Sequence, residues 1–371
     1  MKQQYRHPVY IWQQEQWPRF RWDAEALTEP LARVNRAIGE LNGRISALGF
    51  DSKATAQLDA LSREIGSSSQ IENVSLNMDS VRSSMARRLG LESGALAPED
   101  HYVEGLVDVM LDAVRNADEP LTAERLFNWH AALFPSGRSG MTHITVADWR
   151  RGEEPMQVVS GALGKQRVHY EAPPSSQVPE MMAEFLDWVR TASLEPVLKA
   201  ALSHLWFVSV HPFDDGNGRL SRTVADYVLA RGDRGHQRYF SMSAEILRLK
   251  RDYYRILERT QQGDLDVTQW VLWFVSCLES AVRRASEVVD TTMQKALFWE
   301  RFADTDVNER QRKVLNRLWD GFDGNLTTSK WAKICHTSQD TALRDIRDLL
   351  AKGMLRQAPS GGRSTHYLLP D

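Results

Sequence analysis

Twelve consecutive positions, His211-Pro212-Phe213-Asp214-Asp215-Gly216-Asn217-Gly218-Arg219-Leu220-Ser221-Arg222, constrain this chain more than any other stretch. They place an imidazole, two carboxylates, an amide, two glycines and two guanidiniums between two largely apolar runs, 197–210 and 224–230. The spacing predicts helix, polar loop, helix. Pro212 disfavours helical backbone at the residue before it, so the incoming helix should end near His211. Gly216 and Gly218 remove side chains where backbone N–H groups would approach a ligand closely. The next helix opens near Arg219, and its N-terminus favours an anion. Arg219 and Arg222, three apart on one face, can add charge to that same anion. A phosphate would repel Asp215, which is better read as holding a cation shared with it, as Mg²⁺ is commonly held by one or two carboxylates plus substrate phosphates. His211 is left as the group that accepts a proton near neutral pH. A Gly-Asn-Gly turn alone often marks only the end of one helix and the start of another. The Gly-Lys-Ser/Thr ending of a Walker A loop is missing.

Position by position, the string resembles the His-x-Phe-x-Asp/Glu-Gly-Asn-Gly-Arg-x-x-Arg signature of the Fic (filamentation-induced-by-cAMP) family, and the resemblance covers roughly residues 60 to 290. It implies an all-α fold, a Fic helical bundle with a β-hairpin flap. It implies transfer of AMP from ATP to a Ser, Thr or Tyr hydroxyl of a target protein, with release of pyrophosphate. His211 would take the hydroxyl proton and Asp215 would bind Mg²⁺. Gly216, Asn217 and Gly218 would cradle phosphate oxygens, and Arg219 and Arg222 would neutralise the outer phosphates. Phe213 would anchor the loop in the core, and Asp214 occupies an unspecified position. Relatives that transfer the terminal phosphate carry Lys where this chain has Gly218, which favours AMP transfer. Self-modification and removal of AMP stay open within this class.

Three further stretches take their meaning from the signature. Residues 66–73, taken alone, are a Gly/Ser loop with one charge. Beside the signature they resemble the Ser/Thr-x-x-x-Glu-Gly/Asn pattern of the family's inhibitory helix, at Ser68, Glu72 and Asn73. Glu72 would then pair with Arg222 and turn the nucleotide's phosphates out of line. Two extended runs, 156–160 and 166–170, lie around glycines and read as a hairpin. In Fic proteins a flap here holds the target by strand addition, which assigns Val158, Val159 and Ser160 to docking. Tyr253 and Tyr254 lie on a predicted helix over 243–260, and similar proteins place a tyrosine such as Tyr254 against the adenine. His204 reads as a core histidine, and His169 has no evident partner in the sequence.

The remaining chain is helical by periodicity. Apolar residues recur at three- and four-residue steps over 24–48, and Asp51 or Ser52 can cap a second helix through Leu58, Leu61 and Ile65. Helices are expected over about 75–89, 97–117, 122–134, 177–192, 197–210 and 267–286. The aromatic start, with Tyr10, Trp12, Trp17, Phe20 and Trp22, suits an extended arm. Residues 1–95 form an expected N-terminal helical region with the inhibitory helix, 96–290 the Fic core, and 291–371 a winged helix-turn-helix-like domain. Residues 306–371 carry 11 Lys+Arg against 8 Asp+Glu, a net +3. In that domain Ser338, Gln339, Arg344 and Arg347 would face outward, with Arg363 in the wing, which makes DNA the alternative partner. A DNA-binding regulator that uses the Fic site as a nucleotide sensor is the rival function. A homodimer is compatible with the sequence. A net charge of −3 over 371 residues argues against coating nucleic acid or anionic membrane generally. Two cysteines, no apolar leader and no run long enough to span a bilayer lead to the expectation of a cytoplasmic protein.

Overall fold

The computed structural model describes residues 10–91, 100–161, 166–232, 238–319, 321–322, 324–359 and 365–370, with backbone alone at Phe50 and Asp51. It divides into two compact units, Met1–Ser286 and Glu287–Asp371.

In the first unit, α1 (Ala24–Ser46) starts at Asp23, whose carboxylate accepts from the Ala26 N–H, and buries Leu27, Val34, Leu41 and Ile45. Helix α2 (Phe50–Ile71) begins after Gly49, not at an Asp51 or Ser52 cap. It runs unbroken through Gly66-Ser67-Ser68-Ser69, residues with weak helical preference. Packing overrides that preference here. Ser68 and Ser69 are buried, and a Cβ on Gly66 would meet the Met78 sulfur at 2.6 Å, so the glycine admits the start of α3 (Met78–Leu89). Asn77 caps α3, later than periodicity alone places it. Helices α4 (His101–Arg115) and α5 (Ala123–Leu133) follow, capped by Asp100 and Thr122.

A short ribbon, β1 (Arg138–Ser139) with β2 (Thr142–His143), precedes the flap hairpin of β3 (Gln157–Ser160) and β4 (Arg167–Glu171). The flap pair is antiparallel, with a register shift between Val158 and Val159. Helices α6 (Val178–Thr191), α7 (Pro196–Val210) and α8 (Asn217–Gly232) come next. Helix α7 is buried nearly all round, with Phe207, Leu205 and Ala201 inaccessible, which matches its lack of a polar face.

The helix expected over 243–260 is two helices, α9 (Met242–Arg248) and α10 (Lys250–Gln261), broken at Leu249 (φ −102°, ψ 22°). Helix α11 (Thr268–Arg301) runs 34 residues, well past Ser286. The aromatic start is not simply extended. Ile11–Gln13 makes one 3₁₀ turn, Tyr10 meets Tyr170 edge-on, and Trp17 and Phe20 meet Trp206. His204 lies in the core, its Nε2 3.0 Å from the Tyr253 hydroxyl. No helix among the described residues is long and apolar enough to cross a membrane.

The second unit holds α12 (Glu309–Trp319), α13 (Thr328–Ile334), α14 (Gln339–Ala351) and an antiparallel hairpin of β5 (Arg356–Gln357) with β6 (Tyr367–Leu368). Trp331, Val314, Leu315, Ile346, Leu349 and Met354 form its core. Ser338 caps α14, and Ser338, Gln339, Arg344 and Arg347 are exposed. Arg363 lies outside the described residues.

Candidate active site

The loop between α7 and α8 is built by a backbone reversal and two clips. His211 ends α7 in the left-handed region (φ 52°), its N–H still donating to Phe207 O. That turn throws Pro212 and Phe213 back toward the core. The Phe213 ring is inaccessible and stacks on His130 at 4.2 Å with an interplanar angle of 10°. Asn217 supplies the first clip. Its buried side chain accepts from Phe213 N–H at 2.9 Å and donates to Phe213 O at 2.8 Å. The Asn217 side chain is thus spent on the shape of the loop. Gly216 (φ 84°) turns the chain into α8, and a Cβ there would lie 2.9 Å from the Phe134 ring.

The second clip was not legible in the sequence. Arg150 is buried and donates from Nε to His211 O at 2.7 Å and from Nη2 to the carbonyls of Pro173 and Val210. Its own N–H donates to Pro212 O at 2.8 Å. Its three carbonyl partners lie in the loop after the flap and at the end of α7, too far along the chain for any local pattern to reveal. His130 was missed for the same reason. The Ala147 N–H points at its Nδ1, so Nε2 carries the proton and donates to Asp215 O at 3.1 Å. Burial, ahead of other influences, pushes the His130 imidazole down to about 4.

His211 Nδ1 lies 3.2 Å from Val208 O, which can only accept, so Nδ1 carries the proton and Nε2 keeps its lone pair. Burial, with help from the Arg150 charge, lowers its pKa to about 4, although Glu72 and Asp215 pull the other way. The half-buried ring is thus a neutral base at pH 7. Asp215 accepts from the Gly216 N–H at 2.6 Å and from the Ser139 hydroxyl of β1. Asp214 accepts from Thr145 N–H at 2.7 Å, a structural use.

The two arginines part company. Arg219 donates from Nη1 to the Tyr102 hydroxyl at 2.7 Å and lies over the Phe134 ring at 4.9 Å. Its buried Nε makes no hydrogen bond among the described residues, beside a cavity of 20 Å³ lined by α2, α4, α5 and α8, which has room for one water. Arg222 turns toward α2 instead. Its Nε donates to Ser68 Oγ at 2.9 Å, and Nη2 donates to Ser68 O at 2.9 Å and Glu72 Oε1 at 2.8 Å. The expected convergence of Arg219 and Arg222 on one anion is thus not what the side chains adopt in this state. Arg222 Nη1, also buried, makes no hydrogen bond among the described residues.

The end of α2 explains why Ser68, Glu72 and Asn73 stand at those spacings. Ser68 and Glu72 are four apart and share one face. Asn73 adopts the left-handed conformation (φ 60°), its N–H donates to Gln70 O, and the Val74 N–H donates to Ser69 O. This is a Schellman end, where Gly or Asn is favoured. It stops the helix so that Glu72 sits over the loop: a Cβ on Gly218 would be 2.1 Å from Glu72 Oε1. Tyr254, 39% exposed, hydrogen-bonds Ile71 O at 3.4 Å, and Lys250 donates to Asn73 Oδ1 at 2.9 Å.

In the flap, Val159 and Ser160 are exposed and Val158 half-buried. Among the described residues no strand pairs with the outer edge of β3. His169 has partners after all: its Nδ1 is 3.0 Å from Glu258 and its Nε2 2.5 Å from Ser160 Oγ.

The site is thus a buried helical pair joined by a polar loop, with a neutral imidazole beside the N–H groups that open α8. Residues 120–229 match the Fic/DOC family model. Residues 10–91 match a family described as a domain of unknown function (DUF4172). A Fic family protein from Desulfovibrio desulfuricans shares the fold, with TM-score 0.54 at 20% identity over 94% of this chain and 96% of that one. A Fic domain containing signaling protein from Bacteroides thetaiotaomicron gives 0.52 at 19% identity, over 69% and 95%. Protein adenylyltransferase fic-1 of Caenorhabditis briggsae is 32% identical over 142 residues, 38% of this chain and 26% of the relative. Uridine 5'-monophosphate transferase of Xanthomonas campestris is 27% identical over 150 residues, 38% of this chain and 27% of the relative. The matched stretch thus spans about a quarter of the length of these curated relatives.

Proposed function

We propose that this protein transfers AMP from ATP to a hydroxyl of a target protein, and that Glu72 holds the activity off. The observation that carries the reading is the neutral His211, with Nδ1 fixed on Val208 O and Nε2 free, at the head of the loop that opens α8. In the reaction, Nε2 takes the proton of a Ser, Thr or Tyr hydroxyl as its oxygen bonds the α-phosphorus. The bond from that phosphorus to the bridging oxygen of the β-phosphate breaks, and pyrophosphate leaves. Backbone N–H groups at the start of α8 meet phosphate oxygens, and close approach there is open because Gly216 and Gly218 lack side chains.

Asp215 is the group that would hold Mg²⁺. Among the described residues no group of three or more His, Cys, Asp or Glu side chains could hold a metal by itself, and one carboxylate suits an ion that completes its shell with phosphates and water. When bound, Mg²⁺ would neutralise charge on the phosphates. The Ser139 hydroxyl and the Gly216 N–H fix the orientation of the carboxylate.

Autoinhibition is read from Arg222. Its Nη2 is taken by Glu72, so a terminal phosphate and Glu72 compete for one guanidinium. Displacing Glu72 would free Arg222 and, with a swing from Tyr102, Arg219 for the outer phosphates. The half-exposed Tyr254 beside the end of α2 is the proposed neighbour of the adenine, and the open edge of β3 at Val158–Ser160 is the proposed dock for the target segment. The enzyme reading predicts protein labelling from ATP labelled at the α-phosphate and none from the γ-phosphate. Excess unlabelled UTP should compete poorly. Labelling from the γ-position refutes AMP transfer, and efficient competition by UTP moves the reading to UMP.

The rival reading, a DNA-binding regulator, rests on the second unit as a winged helix-turn-helix, with α13, the turn at Cys335-His336 and α14 presenting Ser338, Gln339, Arg344 and Arg347. A salt-dependent, sequence-selective DNA shift by the full chain, lost in Arg344→Glu/Arg347→Glu, supports it. An unchanged shift removes it.

A further inference from the structure

One face of α10 carries Lys250, Tyr254 and Glu258 at four-residue steps, and these side chains reach two different functional parts. Lys250 and Tyr254 hold the end of α2, through Asn73 Oδ1 and Ile71 O. Glu258, one turn further, holds the flap. Its Oε1 accepts from Arg167 Nη2 at 2.6 Å and its Oε2 from His169 Nδ1 at 3.0 Å. The other ring nitrogen, Nε2, pairs with the Ser160 hydroxyl at 2.5 Å. Ser160 lies on β3, the strand with the open edge, so a continuous chain of hydrogen bonds runs from α10 through β4 into β3. Gln262, four residues beyond Glu258, adds a bond from Nε2 to His169 O at 2.7 Å. A two-stranded hairpin is marginal by itself, and this one has exposed Val159 and Val168 on the strands beyond its anchored end.

We propose that Glu258 is a positioning residue of the transferase: by gripping Arg167 and His169 it fixes β3 in the conformation that accepts the target segment. The proposal rests on the reading of β3 as the docking strand and deepens it. It also makes α10 common to the two opposing devices, since the helix that steadies the docking strand steadies the inhibitory carboxylate one turn away. Docking without Glu258 requires the hairpin to order as it binds, which weakens target binding without touching the proton transfer at His211.

The test uses the full chain in the Glu72→Gly background, alone and with Glu258→Ala or Glu258→Gln. Amide hydrogen exchange over 157–160 and 167–171, without nucleotide, should speed up about five- to tenfold in Glu258→Ala, the loss expected for a small, partly exposed polar cluster. The gain should be smaller in Glu258→Gln, which keeps one acceptor oxygen. Labelling of lysate proteins from α-labelled ATP and Mg²⁺ should then need about five- to tenfold more lysate for half-saturation, with the rate at saturation and the half-saturating ATP unchanged. Unchanged flap exchange overturns the proposal. So does faster exchange with an unchanged lysate requirement, or a fall in the saturated rate alone. If the parent Glu72→Gly protein labels nothing, the transferase reading fails by itself, and faster flap exchange then assigns Glu258 to stability and not to positioning.

Discussion

Replacing Asn217 by Ala should destabilise the first unit by an amount that the loop geometry sets. The side chain is 2% exposed and makes both hydrogen bonds that the Phe213 peptide groups have, at 2.9 and 2.8 Å. Its removal strands a buried N–H and a buried C=O, each worth about 1–3 kcal/mol when left without a partner. His211, Asp214 and Asp215 are only half-buried, so water reaches part of this loop. A loss of about 2–4 kcal/mol is therefore expected, which for a unit of this size lowers Tm by roughly 3–7 °C. Asn217→Asp sharpens the argument. It keeps an acceptor for the Phe213 N–H but faces the Phe213 carbonyl with a second acceptor, and burial raises its carboxyl above the usual carboxylate range. A raised folded pKa means that the Asp variant's stability is best at low pH and is lost as pH rises through that pKa. Its deficit should shrink between pH 7 and pH 5 relative to the Ala variant. The assay is calorimetry of both variants at the two pH values. Melting within about 1 °C of the parent by both variants would refute the clip.

The same loop carries further predictions. A Cβ on Gly218 overlaps Glu72 Oε1 at 2.1 Å but meets Arg222 Nη1 at an ordinary 3.4 Å. Gly218→Ala should thus cost about 1–3 kcal/mol in the parent and close to nothing in Glu72→Gly, a coupling read by denaturation of the four proteins in the cycle, and additive effects would contradict it. The acidic limb of kcat/KM should fall near pH 4, where burial and Arg150 place His211, instead of near the ordinary value of about 6.5. Arg150→Met should move that limb upward, as removal of the buried cation makes protonation easier; a limb that stays put removes Arg150 from the account. The linked stability has the same sign: His211 and His204, both depressed, contribute fully above their unfolded value and less as pH falls toward their folded values of about 4 and 3.

What the sequence reveals here depends on whether a constraint is local. Pro212, Gly216 and the polar string between apolar runs define helix, loop and helix from within a dozen residues. The end of α2 is legible only as a motif, since Gly66 and three serines argue against a helix until their packing is known. Asn73 is the exception, because a left-handed helix end has a local residue preference. The break at Leu249 carries no proline or glycine and is set by the separate packing of α9 and α10. Arg150 and His130 shape the loop from 61 and 85 residues away, and no periodicity announces such bonds. The partners of His169 lie across the flap and on α10, which is why the ring looks unattached in the sequence. The divergence of Arg219 from Arg222 is also tertiary, as Tyr102 and Phe134 claim one and α2 the other.

In the proposed mechanism, Glu72 on Arg222 withholds a transferase whose base is His211. The direct measurement is label gained from α-labelled ATP with Mg²⁺, by lysate proteins and by the chain itself, for the parent, Glu72→Gly and Glu72→Gly/His211→Ala. Little label is expected with the parent, at least about tenfold more with Glu72→Gly, as Arg222 is freed to align the phosphates, and none with the double variant. Equal labelling by the parent and Glu72→Gly would contradict the inhibitory pairing, and label that survives loss of the His211 imidazole would contradict the chemistry.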